Sequence, residues 1–419
     1  MPDLFLLLAQ IVVVLLAARV CGRLMRRIGQ PQVVGEMVAG IALGPSLFGA
    51  LAPDTWAALF PAASLGFVNT LSQLGLILFM FLVGLELDTS SLRSRGRAAL
   101  IISSASIAAP FALGAALATV LHASLAPDGV NMTSFALFLG AAMSVTAFPV
   151  LARILEERGL MRSPLGSLAI ACAAVGDVSA WLILAVVVSI VRSGESVSLL
   201  LTFGGTLAYV GVMLTVGAWA LSRFGRRVSE SGTIAQGELA AVLIVVLVSA
   251  GITELLGIHA LFGAFLTGAV MPRDDRFRHA VSSRFEDLLV AFLLPLFFAF
   301  TGLRTQMGLM VADAGQLFAL AMILLVAVAG KFGGTAVAAR LTGMSWRGAS
   351  VLGALMNTRG LMELVILNIG LDIGVISPTL FAMMVFMAIA TTLITSPVVA
   401  RLSRGLADAR PVPSAPRVA

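Results

Sequence analysis

Asp177 is the only charged residue between Arg162 and Arg192, in a stretch, SPLGSLAIACAAVGDVSAWLILAVVVSIV, long enough to cross a bilayer as one helix. A carboxylate near the middle of such a helix costs roughly 2.5–3.5 kcal/mol on insertion scales and more in simulations, so it must face water, hold a cation or keep its proton. Those three conditions are the states of a carrier in which a proton and a hard monovalent cation, Na⁺ or K⁺, compete for the same oxygens. The plain alternative is a buried aspartate held by serine and backbone partners. Three further charges fall inside apolar runs: Lys331, Arg359 and Glu363. Leaving water penalises the charged form of an acid or a base alike, which makes Lys331 and Asp177 the better functional pair; a Lys331–Asp177 bridge that only holds the fold is the competing reading. Arg359 and Glu363 stand four residues apart and can pair along one helix face, and a bridge that offsets the dipole ends of a broken helix explains them better than direct ion contact. The hydroxyls of Ser144 and Thr146, with carbonyls freed around Pro149, could complete a cation shell, or could simply satisfy a loosened backbone.

The elements that must position these groups are membrane helices. The chain has 419 residues, 59% of them hydrophobic and 11% charged, with a mean hydropathy of +1.04, which describes an all-α polytopic membrane protein with no separate soluble domain. The net charge of +6 comes from basic residues in short clusters between apolar runs, a topology signal that gives no ground for nucleic-acid binding. Cys21 and Cys172 lie in apolar helices, and the three histidines make no ligand pair, so neither a disulfide nor a metal site is expected beyond the transported ion itself, nor any cofactor. No nucleophile–base constellation suggests an enzyme. Glu36 and Glu86 sit at span ends and read as cap-region charges, while Asp274, Asp275, Glu286 and Asp287 read as a solvated loop.

Apolar runs predict about thirteen spans, among them a fifth over 133–154, a sixth over 165–191, an eleventh over 313–339 and a twelfth over 347–371. The run from Leu4 to Ala18 lacks a preceding basic region, so it reads as a first span with its N-terminus outside rather than a secretory signal. With that start, nearly all of the 27 basic residues fall on the inner side, which places the C-terminus in the cytoplasm. Two spans are interrupted. The fifth carries Ser144, Thr146 and Pro149, and the twelfth carries Asn357, Thr358, Arg359 and Gly360 in mid-run. They lie seven spans apart, an odd shift that reverses direction, so spans four to six and eleven to thirteen read as inverted repeats with two crossed broken helices lining a midplane ion site.

The stretches GEMVAGIALGPSLFG (35–49), LGLILFMFLVGLELD (74–88), SVTAFPVLARIL (144–155), AVGDVSAWLILA (174–185), LTGAVMP (266–272), LPLFFAFTGLRT (294–305), GKFGGT (330–335) and MNTRGLMELVILNIG (356–370) run in family order along a chain that resembles the CPA2-type monovalent cation:proton antiporters. That group includes the glutathione-gated potassium efflux proteins, the NapA-like sodium/proton antiporters and the plant cation/H⁺ exchangers. The resemblance implies an NhaA-like antiporter fold: an interface domain over 1–97 and 236–310, a core ion-transport domain over 98–192 and 311–404, a linker helix over 193–235 and a disordered tail over 405–419. It implies a homodimer; the high Arg-to-Lys ratio and Ala content suggest a bacterium and hence its plasma membrane, with pH homeostasis, salt tolerance or export of a larger substrate as the roles left open. By position, Asp177 matches the family's cation- and proton-binding aspartate, Thr146 lies in the unwound helix facing it, and Lys331 matches the basic residue of the partner core helix. One departure is Gly176, where electrogenic members often carry a second aspartate; electroneutral one-for-one exchange is therefore expected. A second is the lack of a nucleotide-binding regulatory domain, so gating by nicotinamide nucleotides or glutathione conjugates is not expected. Two other classes compete. A channel would be expected to show filter carbonyls or acidic rings, and proton-linked flux in liposomes separates it from a carrier. An organic-anion symporter on the same architecture would use Arg359 or Lys331 against a carboxylate, and cation transport without organic substrate removes it.

Overall fold

The computed structural model describes residues 4–86, 96–158, 160–161, 163–192, 196–223, 234–256, 258–272 and 274–403. The regular secondary structure of these residues is entirely helical. Among the described residues, nine helices are long and apolar enough to cross a membrane, or ten if the bent pair Trp346–Met356 and Leu361–Asp372 forms one span; Met132–Ser144 and Ala260–Val270 are shorter apolar helices. The predicted tail over 405–419 lies outside the described residues.

The chain divides into two compact units. One comprises Met1–Met25, Gly35–Asp88 and Trp181–Gly308. It is built on close helix approaches at glycine: a Cβ on Gly84 would stand 2.1 Å from the carbonyl oxygen of Phe265, so the helix Ala62–Glu86 and the helix Ala260–Val270 meet backbone to backbone. Buried Gln10, in the helix Leu4–Arg27, donates to the carbonyl of Leu59 and to the Ser64 hydroxyl, both at 2.6 Å. Here Asp274, Asp275, Glu286 and Asp287 are exposed, as expected of a solvated segment, but the segment is not a loop. Asp274 instead caps a helix over Asp275–Leu288, accepting from the amides of Arg276 and Phe277. Phe277, Val281 and Phe285 form its buried stripe at the i, i+4, i+8 spacing that mean polarity conceals. Glu36 is also buried within its helix, not left at an exposed end.

The second unit comprises Arg26–Val34, Thr89–Ala180 and Leu309–Ala419. Its apolar core joins Leu151, Ile154 and Leu155 to Ala169, Cys172 and Ala173, and to Val351, Leu352 and Leu355. Both interrupted spans lie here. The first runs as Met132–Ser144, an extended link over 145–147, and Phe148–Glu157. Pro149 takes the second position of that later helix, where a missing N–H costs nothing; the break itself falls before it, at Val145 to Ala147. The second span runs as Trp346–Met356 and Leu361–Asp372, bent by 44°.

Candidate functional site

An interrupted helix leaves carbonyls at the end of its first half and N–H groups at the start of its second without partners. In a membrane each such group must be satisfied by protein. The two breaks do this for each other. The amide of Ala147 donates to the carbonyl of Thr358 at 2.9 Å, and the Thr146 hydroxyl donates to the carbonyl of Met356 at 3.1 Å. Gly360, at the start of the second half-helix, lies tight against the first break: a Cβ there would stand 3.0 Å from Cγ2 of Val150 and 3.3 Å from Cβ of Ala147.

Charge completes the crossing. The guanidinium of Arg359 donates to the carbonyls of Met143, at 2.9 Å, and Ala142, at 3.4 Å, and the Lys331 ammonium donates to the carbonyl of Ser144. Two cations therefore cover the last three carbonyls of the half-helix Met132–Ser144, its negative dipole end. Glu363 lies in the first turn of Leu361–Asp372, at the positive end of that half-helix, and forms an ion pair with Arg359. Arg359 sits in the non-helical link before Gly360, so the pair bridges the break instead of running along one helix face as expected. Lys331, Arg359 and Glu363 are all buried, and the second carboxylate oxygen of Glu363 has no hydrogen-bond partner among the described residues.

The hydroxyl of Ser144 donates to the carbonyl of Ala141 within its own helix, leaving its lone pairs as acceptors. Asp177 lies in the helix Pro164–Arg192, in the same unit as Lys331, Thr146 and Ser144; its side chain, like that of Pro149, lies outside the described residues. Gly176 is buried, and a Cβ there would meet nothing within 4 Å.

Sequence reading missed two contributors. The Thr392 hydroxyl accepts from the amide of Arg359, at 3.0 Å, and donates to that residue's carbonyl, at 2.7 Å, serving both backbone groups of one unwound residue. Its signal was the polar run Thr391, Thr392, Thr395, Ser396 inside an apolar span. The other is Ser106, whose carbonyl accepts from the Lys331 ammonium at 2.8 Å; Lys331 itself lies on a π-helical turn, Ala329–Gly333, a distortion frequent at functional sites.

The sequence profile described as sodium/hydrogen exchanger, transmembrane, matches residues 11–404. The Na(+)/H(+) antiporter NhaS4 of Synechocystis sp. is 44% identical over 401 residues, covering 95% of this chain and 97% of that protein. Cation/H(+) antiporter 18 of Arabidopsis thaliana is 42% identical over 94% of this chain, and K(+)/H(+) antiporter 1 of Saccharomyces cerevisiae is 35% identical over 88% of it. This chain spans 48% of that plant protein and 43% of the yeast one. In fold, it resembles the sodium proton antiporter MjNhaP1 of Methanocaldococcus jannaschii, with a TM-score of 0.63 at 16% identity, covering 96% of this chain and 98% of that one.

Proposed function

Because the chain belongs to the sodium/hydrogen exchanger family, we propose that it exchanges Na⁺ or K⁺ for H⁺ across the membrane by alternating access, with Asp177 as the group that cation and proton share. The observation that carries this reading is the meeting of the two broken helices. The crossing is buried and polar, its orphan backbone groups are held by Thr146, Lys331, Arg359 and Thr392, and it lies in the same unit as Asp177. Carbonyl and hydroxyl oxygens suit a hard monovalent cation.

In this reading the unit holding both breaks is the ion-transport core, and the other unit is the interface domain of a homodimer in a bacterial plasma membrane, with the N-terminus outside and the C-terminus in the cytoplasm. Arg359 and Glu363 hold the crossing together, and Lys331 is the cation set against Asp177. With Gly176 before it, Asp177 carries the exchanged charge alone, so one cation leaves for one proton and exchange is electroneutral.

The test is proton flux in proteoliposomes on addition of Na⁺ or K⁺, comparing the unmodified protein with Asp177→Asn. Cation-dependent collapse of a pH gradient that is lost in Asp177→Asn supports the shared carboxylate and identifies the preferred ion. Exchange that survives in Asp177→Asn removes it and turns attention to Glu363, whose free oxygen is the remaining buried carboxylate acceptor at the crossing among the described residues.

A further inference from the structure

A proline inside a helix withholds the N–H that the carbonyl four residues earlier would have accepted. Two prolines among the described residues, Pro110 and Pro397, lie inside a helix in this way, and in each case a side chain from elsewhere in the chain occupies the freed carbonyl. Pro397 frees Leu393, whose carbonyl accepts from Gln30 at 3.2 Å. Pro110, inside the helix Gly96–Leu125, frees Ser106, whose carbonyl accepts from the ammonium of Lys331 at 2.8 Å. Only at Pro110 does the donor belong to the charges at the helix crossing.

The surroundings of Pro110 are shaped for this contact. Gly330, beside the lysine, packs so closely that a Cβ on it would stand 2.8 Å from Cα of Pro110, and a Cβ on Gly334, one turn on, would stand 2.6 Å from Cβ of Ala109. Small residues four apart bring the two backbones together, and the π-helical turn Ala329–Gly333 directs the lysine. Its ammonium thus spans two carbonyls, Ser106 and Ser144, that lack ordinary helical partners for different reasons: a proline in one helix and a chain break in the other.

We propose that Pro110 is a positioning residue for ion exchange: by leaving the Ser106 carbonyl open, it anchors the Lys331 ammonium at the end of the half-helix Met132–Ser144 and fixes where that charge acts at the helix crossing. The inference rests on the proposed role of Lys331 as a transport charge. Pro110→Ala returns an N–H to the Ser106 carbonyl and removes one anchor, so the ammonium is no longer held at that position.

The experiment measures cation-dependent proton flux in proteoliposomes over a range of pH and cation concentration, for the unmodified protein, Pro110→Ala, Lys331→Gln, the double variant, and Pro397→Ala as a proline of the same kind away from Lys331. The expected result is a several-fold change in the KM for the cation in Pro110→Ala, with the maximal rate retained and the pH profile displaced. Pro397→Ala moves neither, and the Pro110→Ala effect disappears in the Lys331→Gln background. Where Lys331→Gln stops flux, the same cycle is read in the cation-dependent shift of the thermal unfolding midpoint. If Pro110→Ala does not yield folded protein, Pro110→Gly, which restores the same N–H, replaces it. An unchanged KM and pH profile in Pro110→Ala, or an effect that persists without Lys331, overturns the inference while leaving the exchange reading intact. A Lys331→Gln protein with unaltered KM and pH profile instead removes Lys331 from the transport charges.

Discussion

The amide of Ala147 donates to the carbonyl of Thr358, 2.9 Å away, and joins the two interrupted helices where each has lost its own hydrogen-bond ladder. Each break supplies partners to the other, so the crossing forms a buried polar node inside an apolar bundle. Because bonds and charges at this node are shared, single substitutions there should have effects larger than their contact counts in water would suggest.

Arg359 is the most heavily committed side chain at the node, with Glu363, Ala142 and Met143 all dependent on it. Arg359→Gln leaves a buried carboxylate unpaired, and removing one partner of a buried pair costs about 3–5 kcal/mol. A drop of that order in unfolding free energy is expected by denaturant titration. Arg359→Lys should recover only part of it, because an ammonium lacks the fork that reaches a carboxylate and two carbonyls together.

Thr392 should behave as a structural residue with a strong preference for a hydroxyl. Thr392→Val keeps the shape and strands both the amide and the carbonyl of Arg359, at about 1–3 kcal/mol for each unsatisfied group. Thr392→Ser should keep most of the stability. Thermal unfolding in detergent, with equal losses for Val and Ser, would remove the hydroxyl's role.

Gly360→Ala should separate the crossing. Its Cβ would stand 3.0 Å from Cγ2 of Val150 and 3.3 Å from Cβ of Ala147, so the neighbours must give way. The expected outcome is reduced cation-dependent proton flux, with recovery on adding Val150→Ala, which removes the nearer contact. Absence of any recovery would place the defect elsewhere.

Gly176→Asp tests the charge count. A Cβ at this buried position meets nothing within 4 Å, so the substitution should be accommodated. A second carboxylate beside Asp177 should make exchange sensitive to membrane potential, measured in liposomes with an imposed potassium diffusion potential, while Gly176→Asn should stay insensitive. If both variants behave like the unmodified protein, the residue before Asp177 does not set the stoichiometry.

Much of this was legible before any coordinates. A run of apolar residues is unambiguous because an unpartnered backbone cannot cross lipid except as a helix or closed barrel, and a lone Asp177, a lone Lys331 or the set Asn357, Thr358, Arg359, Gly360 within such a run stands out against the cost of charge and polarity there. The helix over Asp275–Leu288 was missed because mean polarity outweighed a three-residue apolar stripe. Tertiary structure alone decided which orphan groups meet. That Lys331 reaches the carbonyls of Ser106 and Ser144, residues 225 and 187 positions away, and that Thr392 serves Arg359 across 33, follows from packing between helices. Local sequence states which backbone groups a proline or a break sets free; only the three-dimensional arrangement of helices determines which side chain lies close enough to receive them.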